Sequence, residues 1–327
     1  LLSALPYGER HFELNQTLLD RLFYRTPYGY SAIATRFRAL TFGAGGTMAQ
    51  RCVALEITPP KSPNVRVLLR RAALLGETAS LVNVVQRMDR QASLDACLAL
   101  RASGFTPVWH LVTRGRALAE IERDLERAAE GGIERVLVIR GDHAADGSGA
   151  SIRDTIALVR RRLPEAVIGA TLNQHVPDRR ATLGNLLPKL DAGATFVQTQ
   201  PVFDSALLEP YSEALFCSAP EVKLLPMVMP LLSLDAAAKI EGRLRIELPE
   251  PMLRRLVSGE ANACWKAFRE TLQGLTALPQ LAGCAVMTFE TDARPDSGAQ
   301  IACCLRGTGF IGCPTPLRAP AETATRR

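Results

Sequence analysis

The chain has 327 residues, of which 47% are hydrophobic and 22% charged, a balance that excludes chain-wide disorder and supplies enough apolar material for one large core. A membrane span needs about 18 consecutive apolar residues, and no run approaches that. The net charge of +6 comes mainly from arginine, as in Arg70-Arg71 and Arg160-Arg161-Arg162, which suits solvated helix faces or an anionic ligand; aromatics at only 6% and the lack of a nucleic-acid motif argue against nucleic acid.

The opening residues, LLSALPYGERHF, lack the basic start and small-residue cleavage site of a secretory leader, so a cytoplasmic protein is expected. Residues 1–50 carry an amphipathic stretch and a turn, and GAGGT (43–47) reads as a hinge. They are expected to form an N-terminal extension packed on the rest of the chain, and a place where a partner subunit or a second copy of the chain could dock. From residue 51 a short β-like apolar run recurs about every 25 to 35 residues. The runs are CVALEI (52–57), SLVNVV (80–85), PVWHLV (107–112), RVLVIRG (135–141), AVIGATL (166–172), TFVQTQP (195–201), KLLPMVM (223–229) and GCAVMTF (283–289).

Helical periodicity lies between them, at Ser93–Ser103, Ala117–Gly131, Ile152–Leu163, Leu183–Ala192 and Asn262–Leu275. Gly104, Gly131-Gly132 and Gly193 stand just past helix ends, where a left-handed residue is wanted. Eight strand–helix units in roughly 250 residues predict a closed (β/α)8 barrel over 51–313. An open dinucleotide-binding sheet would carry a GxGxxG after its first strand, and none is present. Residues 314–327 combine Pro, Ala and Arg without periodicity and are expected to be disordered. The cysteines lie singly in apolar segments or, at Cys303, Cys304 and Cys313, without zinc spacing, so reduced thiols and no metal are expected.

Active sites of such barrels form at the C-terminal ends of the strands. Polar residues cluster at that level: Glu56, Asn83 and Gln86, His110, Arg140-Gly141-Asp142, Asn173 and His175 with Asp178, and Gln200. Placing polar groups at the ends of six successive strands costs burial energy that a purely structural barrel would avoid.

Five segments then carry a resemblance. LEITPPKSP (55–63), HLVT (110–113), VLVIRGD (136–142), KLDAGATFVQTQPVFD (189–204) and LPMVMPLLS (225–233) are similar, in this order and at family-like spacing, to motifs of methylenetetrahydrofolate reductases. The resemblance covers residues 52 to about 290. It implies reduction of 5,10-methylenetetrahydrofolate to 5-methyltetrahydrofolate with NADH or NADPH, and a folate polyglutamate tail or a nucleotide phosphate is the kind of anion that the arginines could attract.

That chemistry opens the five-membered ring to an N5 iminium cation, so it needs an acid at N10 and an anionic surrounding. Glu56 is the residue expected as the acid, half-buried near other carboxylates with a raised pKa. The resemblance implies that Asp142 and Gln200 bind the pterin, and that His110, Arg140, Gly141, Asp142, His175 and Lys189 hold an FAD. The sequence departs from the family at three flavin positions: Thr171 replaces a tyrosine, Thr182 an aspartate, and Val85 a threonine. Losing a ring stack and polar contacts weakens a flavin by a few kcal/mol, on the order of the terms lost, and a flavin-free relative would take hydride directly from the nicotinamide. The same fold could also run in the oxidative direction in a methyl-group-utilising demethylation pathway, or serve as a non-catalytic folate-binding or partner-regulating barrel.

Overall fold

A computed structural model describes residues 51–141, 149–259, 262–289 and 295–310. The expected N-terminal extension and disordered tail, and with them any docking through residues 1–50, lie outside the described residues. Eight strands run parallel and close on themselves in chain order: β1 (Cys52–Ile57), β2 (Leu81–Val84), β3 (Pro107–Val112), β4 (Arg135–Ile139), β5 (Val167–Leu172), β6 (Phe196–Pro201), β7 (Lys223–Val228) and β8 (Gly283–Val286). The expected (β/α)8 architecture is therefore present. The seam is made by β1 and β8, where Cys52 faces Gly283 and Leu55 faces Val286.

The helices are α1 (Val65–Ala72), α2 (Ser93–Ala102), α3 (Leu118–Glu130), α4 (Ile152–Arg162), α5 (Arg179–Asp191), α6 (Glu209–Ser218), α7 (Leu234–Lys239), α8 (Glu250–Ser258), α9 (Ala263–Leu275) and α10 (Pro295–Gly307). Capping sets several of their starts. Asn64, Ser151, Asp178 and Ser233 each accept a hydrogen bond from a backbone N–H of the first turn. The Asp178 cap starts α5 four residues before the predicted Leu183, because its first turn, Arg179–Thr182, is too polar to show the apolar period. Of the glycines expected in left-handed geometry, Gly104, Gly132 and Gly193 have positive φ, whereas Gly131 does not.

Strand alternation builds two surfaces. Val53 and Leu55 of β1 are fully buried on its outer face. The lumen is plugged toward the strand starts by Ala54, Leu225, Met227 and Ala285, joined by Phe196 and Leu81. Gly169 makes this plug fit, since a Cβ there would come within 2.2 Å of the Phe196 ring. A second apolar cluster beyond the end of β7 unites Phe203, Met229, Ile240 and Ile246 with residues of α8. It holds an extra excursion, α7 with a π-turn at Ile240–Leu244 and then α8, that is absent from the elements expected on periodicity. No helix among the described residues is long and apolar enough to cross a membrane.

Candidate active site

Above the apolar plug the lumen turns polar, and three strands contribute one connected group. Asn83 Nδ2 of β2 donates to Gln198 Oε1 of β6 at 2.8 Å, and the Gln198 amide lies near enough to the Glu56 carboxyl of β1 to favour its ionised form. Glu56 and Asn83 are direct neighbours in the β1–β2 ladder. Burial holds the Glu56 carboxyl at about 7 instead of 4.5, against that influence of Gln198. The expected neighbouring carboxylates are not among its causes; removal from water is. A carboxyl at that value exchanges its proton near neutral pH.

His110 adds a second buried group. The neighbouring Trp109 turns outward and donates from Nε1 to Ser93 Oγ at 3.2 Å, so alternation turns His110 inward. Burial lowers its pKa to about 4, which keeps the imidazole neutral. His110 Nε2 and the Oδ1 of fully buried Asn83 have no hydrogen-bond partner among the described residues. Each such atom costs roughly 1–3 kcal/mol when left unpaired, a cost that ligand or water can offset. These are the atoms from which the site's binding capacity can be read.

Gln200 lies two residues beyond Gln198 in β6, at the strand's C-terminal end. The β6–β7 register shifts between Gln198 and Pro201, and Gln174 grips the backbone there. Its Oε1 accepts from the Gln200 N–H at 3.1 Å and its Nε2 donates to the Gln200 carbonyl at 2.8 Å. Glu56 and Gln200 both lie toward the C-terminal ends of their strands, while Asp142 lies outside the described residues. Sequence reasoning missed Gln198, Gln174 and the pairing role of Asn83. The signal for Gln198 was a polar residue two positions before Gln200 in the β6 run.

Other candidates hold loops instead. Gln86 Oε1 accepts from both the N–H and the hydroxyl of Ser93 at 2.8 Å, anchoring the start of α2. Asn173 accepts from the His175 N–H at 3.1 Å, and His175 Nε2 lies 2.8 Å from the Pro201 carbonyl, tying the loop after β5 to the end of β6. Burial lowers the His175 pKa, opposed by that carbonyl contact. Asp178 caps α5.

Arg140 and Gly141 fall just past β4, which ends at Ile139 rather than at the predicted 141. Arg140 is exposed. Gly141 has φ +87°, and a Cβ there would strike Val112 at 2.6 Å, so the turn requires glycine. Arg160, from the arginine clusters, spends its guanidinium on the Pro164, Ala166 and Gly193 carbonyls, and Arg162 pairs with Glu122; both are structural rather than anion sites. A cavity of about 10 Å³ walled by Met229, Met252 and Phe268 has room for at most one water.

The flavin set fares differently from the Glu56 group. Lys189 stands in the last turn of α5, roughly 15 Å along the axis from its first residue and at the end facing the start of β6, where its carbonyl accepts from the Ala194 N–H. Burial lowers its pKa. Thr182 commits its hydroxyl to the Asp178 carbonyl at 2.9 Å. Thr171 pairs with Gln198 in the β5–β6 ladder, where it offers no ring for stacking. Of the expected flavin contacts, His110 lies in the lumen and Arg140, Gly141 and His175 just past the C-terminal ends of β4 and β5, whereas Lys189 stands apart from them at the far end of α5.

A family model described as methylenetetrahydrofolate reductase matches residues 41–266. Among solved structures, an uncharacterized protein from Clostridium thermocellum that binds two copies of 5-methyl-5,6,7,8-tetrahydrofolic acid superposes with a TM-score of 0.59 at 14% identity, covering 77% of this chain and 95% of that one. At that identity the likeness is one of fold. A protein from Burkholderia cenocepacia J2315, named for a lyase/mutase activity, gives a TM-score of 0.40 at 19% identity over 70% of this chain and 96% of its own, too slight to argue from. No curated protein matches the sequence.

Proposed function

Because the chain belongs to the methylenetetrahydrofolate reductase family, we propose that it transfers a hydride from NADH or NADPH to 5,10-methylenetetrahydrofolate, giving 5-methyltetrahydrofolate, with Glu56 as the acid. The observation that carries this is the half-buried Glu56 carboxyl on the strand beside fully buried Asn83, its pKa raised by removal from water to about 7. Folate as the ligand is supported by the family and by the methyltetrahydrofolate bound to the structural neighbour.

Protonated Glu56 gives its proton to N10 as the bond from the bridging carbon to N10 breaks, and the electron pair leaves with N10. The resulting N5 iminium is stabilised by the carboxylate that Glu56 has become. The nicotinamide supplies the hydride that reduces the iminium carbon to a methyl group and is itself oxidised. Solvent then returns a proton to Glu56. The spare Asn83 Oδ1 and neutral His110 are suited to the donor groups of a pterin or a carboxamide, Gln200 can both donate and accept nearer the rim, and Asp142 is the proposed partner for the pterin's donor edge. No step is assigned to FAD.

The test is oxidation of NADH or NADPH dependent on 5,10-methylenetetrahydrofolate. Glu56→Gln, which keeps shape but cannot give a proton, is expected to lower kcat by about 10²–10⁴-fold while folate still binds. Undiminished turnover in that variant would remove the acid role.

A further inference from the structure

We propose that Gln174 is a positioning residue for Gln200: its carboxamide stands in for the peptide of a neighbouring strand and fixes the backbone from which the Gln200 side chain meets folate. The role rests on Gln200 binding the folate proposed above.

The need for such a clamp begins with a proline. In the β6–β7 ladder Gln198 faces Leu225 and Pro201 faces Met227, so Thr199 and Gln200 stand against Pro226 alone. Proline has no N–H to give to a ladder and within sheets is confined to edges and bulges. On the other side of β6, the β5–β6 register ends with Leu172 opposite Thr199. The Gln200 peptide thus lies past the end of one ladder and inside the bulge of the other, with no strand to pair its N–H and C=O.

Gln174, 5% exposed, supplies both partners. Its Oε1 accepts from the Gln200 N–H at 3.1 Å, and its Nε2 donates to the Gln200 carbonyl at 2.8 Å and to the Pro201 carbonyl at 3.2 Å. The backbone itself sets the orientation of this amide. An N–H can only donate and a carbonyl can only accept, so exchanging oxygen and nitrogen would oppose donor to donor and oxygen to two carbonyls. Thr199 completes the hold: its hydroxyl accepts from the Met227 N–H at 3.0 Å and donates to the Gln200 carbonyl at 2.7 Å. The Gln200 side chain, by contrast, is half-buried and makes no hydrogen bond among the described residues. Its backbone is committed while its amide is left for a ligand, as bulges beside active sites re-aim side chains.

The test is the affinity of the full chain for 5-methyltetrahydrofolate, measured by titration calorimetry, which needs no hydride transfer. Gln200→Met removes the amide and is expected to weaken binding about tenfold, the weight of one or two hydrogen bonds. Gln174→Met keeps the volume but removes the clamp, and is expected to weaken binding by about three- to tenfold. The double variant should bind no more weakly than Gln200→Met alone, because Gln174 acts through the Gln200 side chain. A residue that merely supported the fold would lower the affinity by the same factor in both backgrounds.

Parent-like affinity in Gln174→Met, or losses that multiply in the double variant, would overturn the proposal. Should Gln174→Met fail to give a cooperative melt, Gln174→Glu, which keeps the acceptor for the Gln200 N–H and loses the amide donor, takes its place in the same cycle. A parent chain that does not bind 5-methyltetrahydrofolate would overturn the folate reading and this role with it. Binding by the parent that Gln200→Met leaves unchanged would overturn the roles of Gln200 and Gln174 alone.

Discussion

Protonation of Glu56 links the chemistry of the lumen to the stability of the barrel. Its carboxyl titrates near 4.5 when unfolded and at about 7 when folded, so between those values the folded chain binds the extra proton. Its contribution is complete below the unfolded value and is lost as pH rises through the folded one, a change on the order of 3 kcal/mol. Glu56→Gln has no proton to lose, so its Tm should exceed that of the parent at about pH 8.5 and the excess should vanish near pH 4. His110 runs the opposite way: its stabilisation is complete above 6.5 and is lost as pH falls through about 4, so the variant should retain only the acid-side decline. Thermal melts followed by circular dichroism across that range would show it, and parallel profiles for parent and variant would contradict the burial of Glu56. Glu56 was legible in the sequence because a carboxylate closing an apolar run is conspicuous. Gln198 was not, because strands of a parallel barrel are buried on both faces, and TFVQTQP does not reveal which of its polar residues enter the lumen.

At the scale of elements, the strands could be read because each is an apolar run bounded by breakers, but how they close could not. Closure depends on a contact that no periodicity records. At the β1–β8 seam a Cβ on Gly283 would lie 1.9 Å from the Cys52 carbonyl oxygen, and backbone on both sides leaves no flexible group to yield. Gly283→Ala should therefore destabilise the fold by about 2 kcal/mol or more. Gly184, inside α5 and with nothing within 4 Å of the added Cβ, is the control: Gly184→Ala should gain about 0.5–1 kcal/mol from helix propensity. Denaturant midpoints at constant m-value would separate the two, and equal midpoints would remove the seam argument. The elements misjudged from sequence failed for local reasons. The polar first turn hid the start of α5, Gly141 ended β4 early through its positive φ, and α8 begins within a Pro-Glu-Pro segment, with Pro249 as its N-cap and Pro251 in its first turn, which reads as a break although proline is favoured in a first helical turn.

At the scale of the whole molecule, barrel geometry separates two groups of residues that look equivalent in the sequence. A helix that comes after a strand returns toward the strand starts, so residues late in it lie far from the mouth however well their motif matches. Lys189 is such a residue, and Thr171 and Thr182 supply neither the ring nor the carboxylate that would hold a flavin near the rim. The Glu56–Gln198–Asn83 group, by contrast, comes from strand positions that barrel closure itself brings together. The motifs could convey family membership because they preserve order and spacing; they could not convey which members still share a cavity. We therefore expect the purified chain to pass gel filtration without bound flavin, and its folate-dependent oxidation of NADH or NADPH to be unchanged by added FAD. Visible absorbance of the eluted protein and an FAD titration of the rate check this. Stoichiometric flavin would mean that residues outside the described set complete a flavin site, and hydride would then reach the folate in two transfers rather than one.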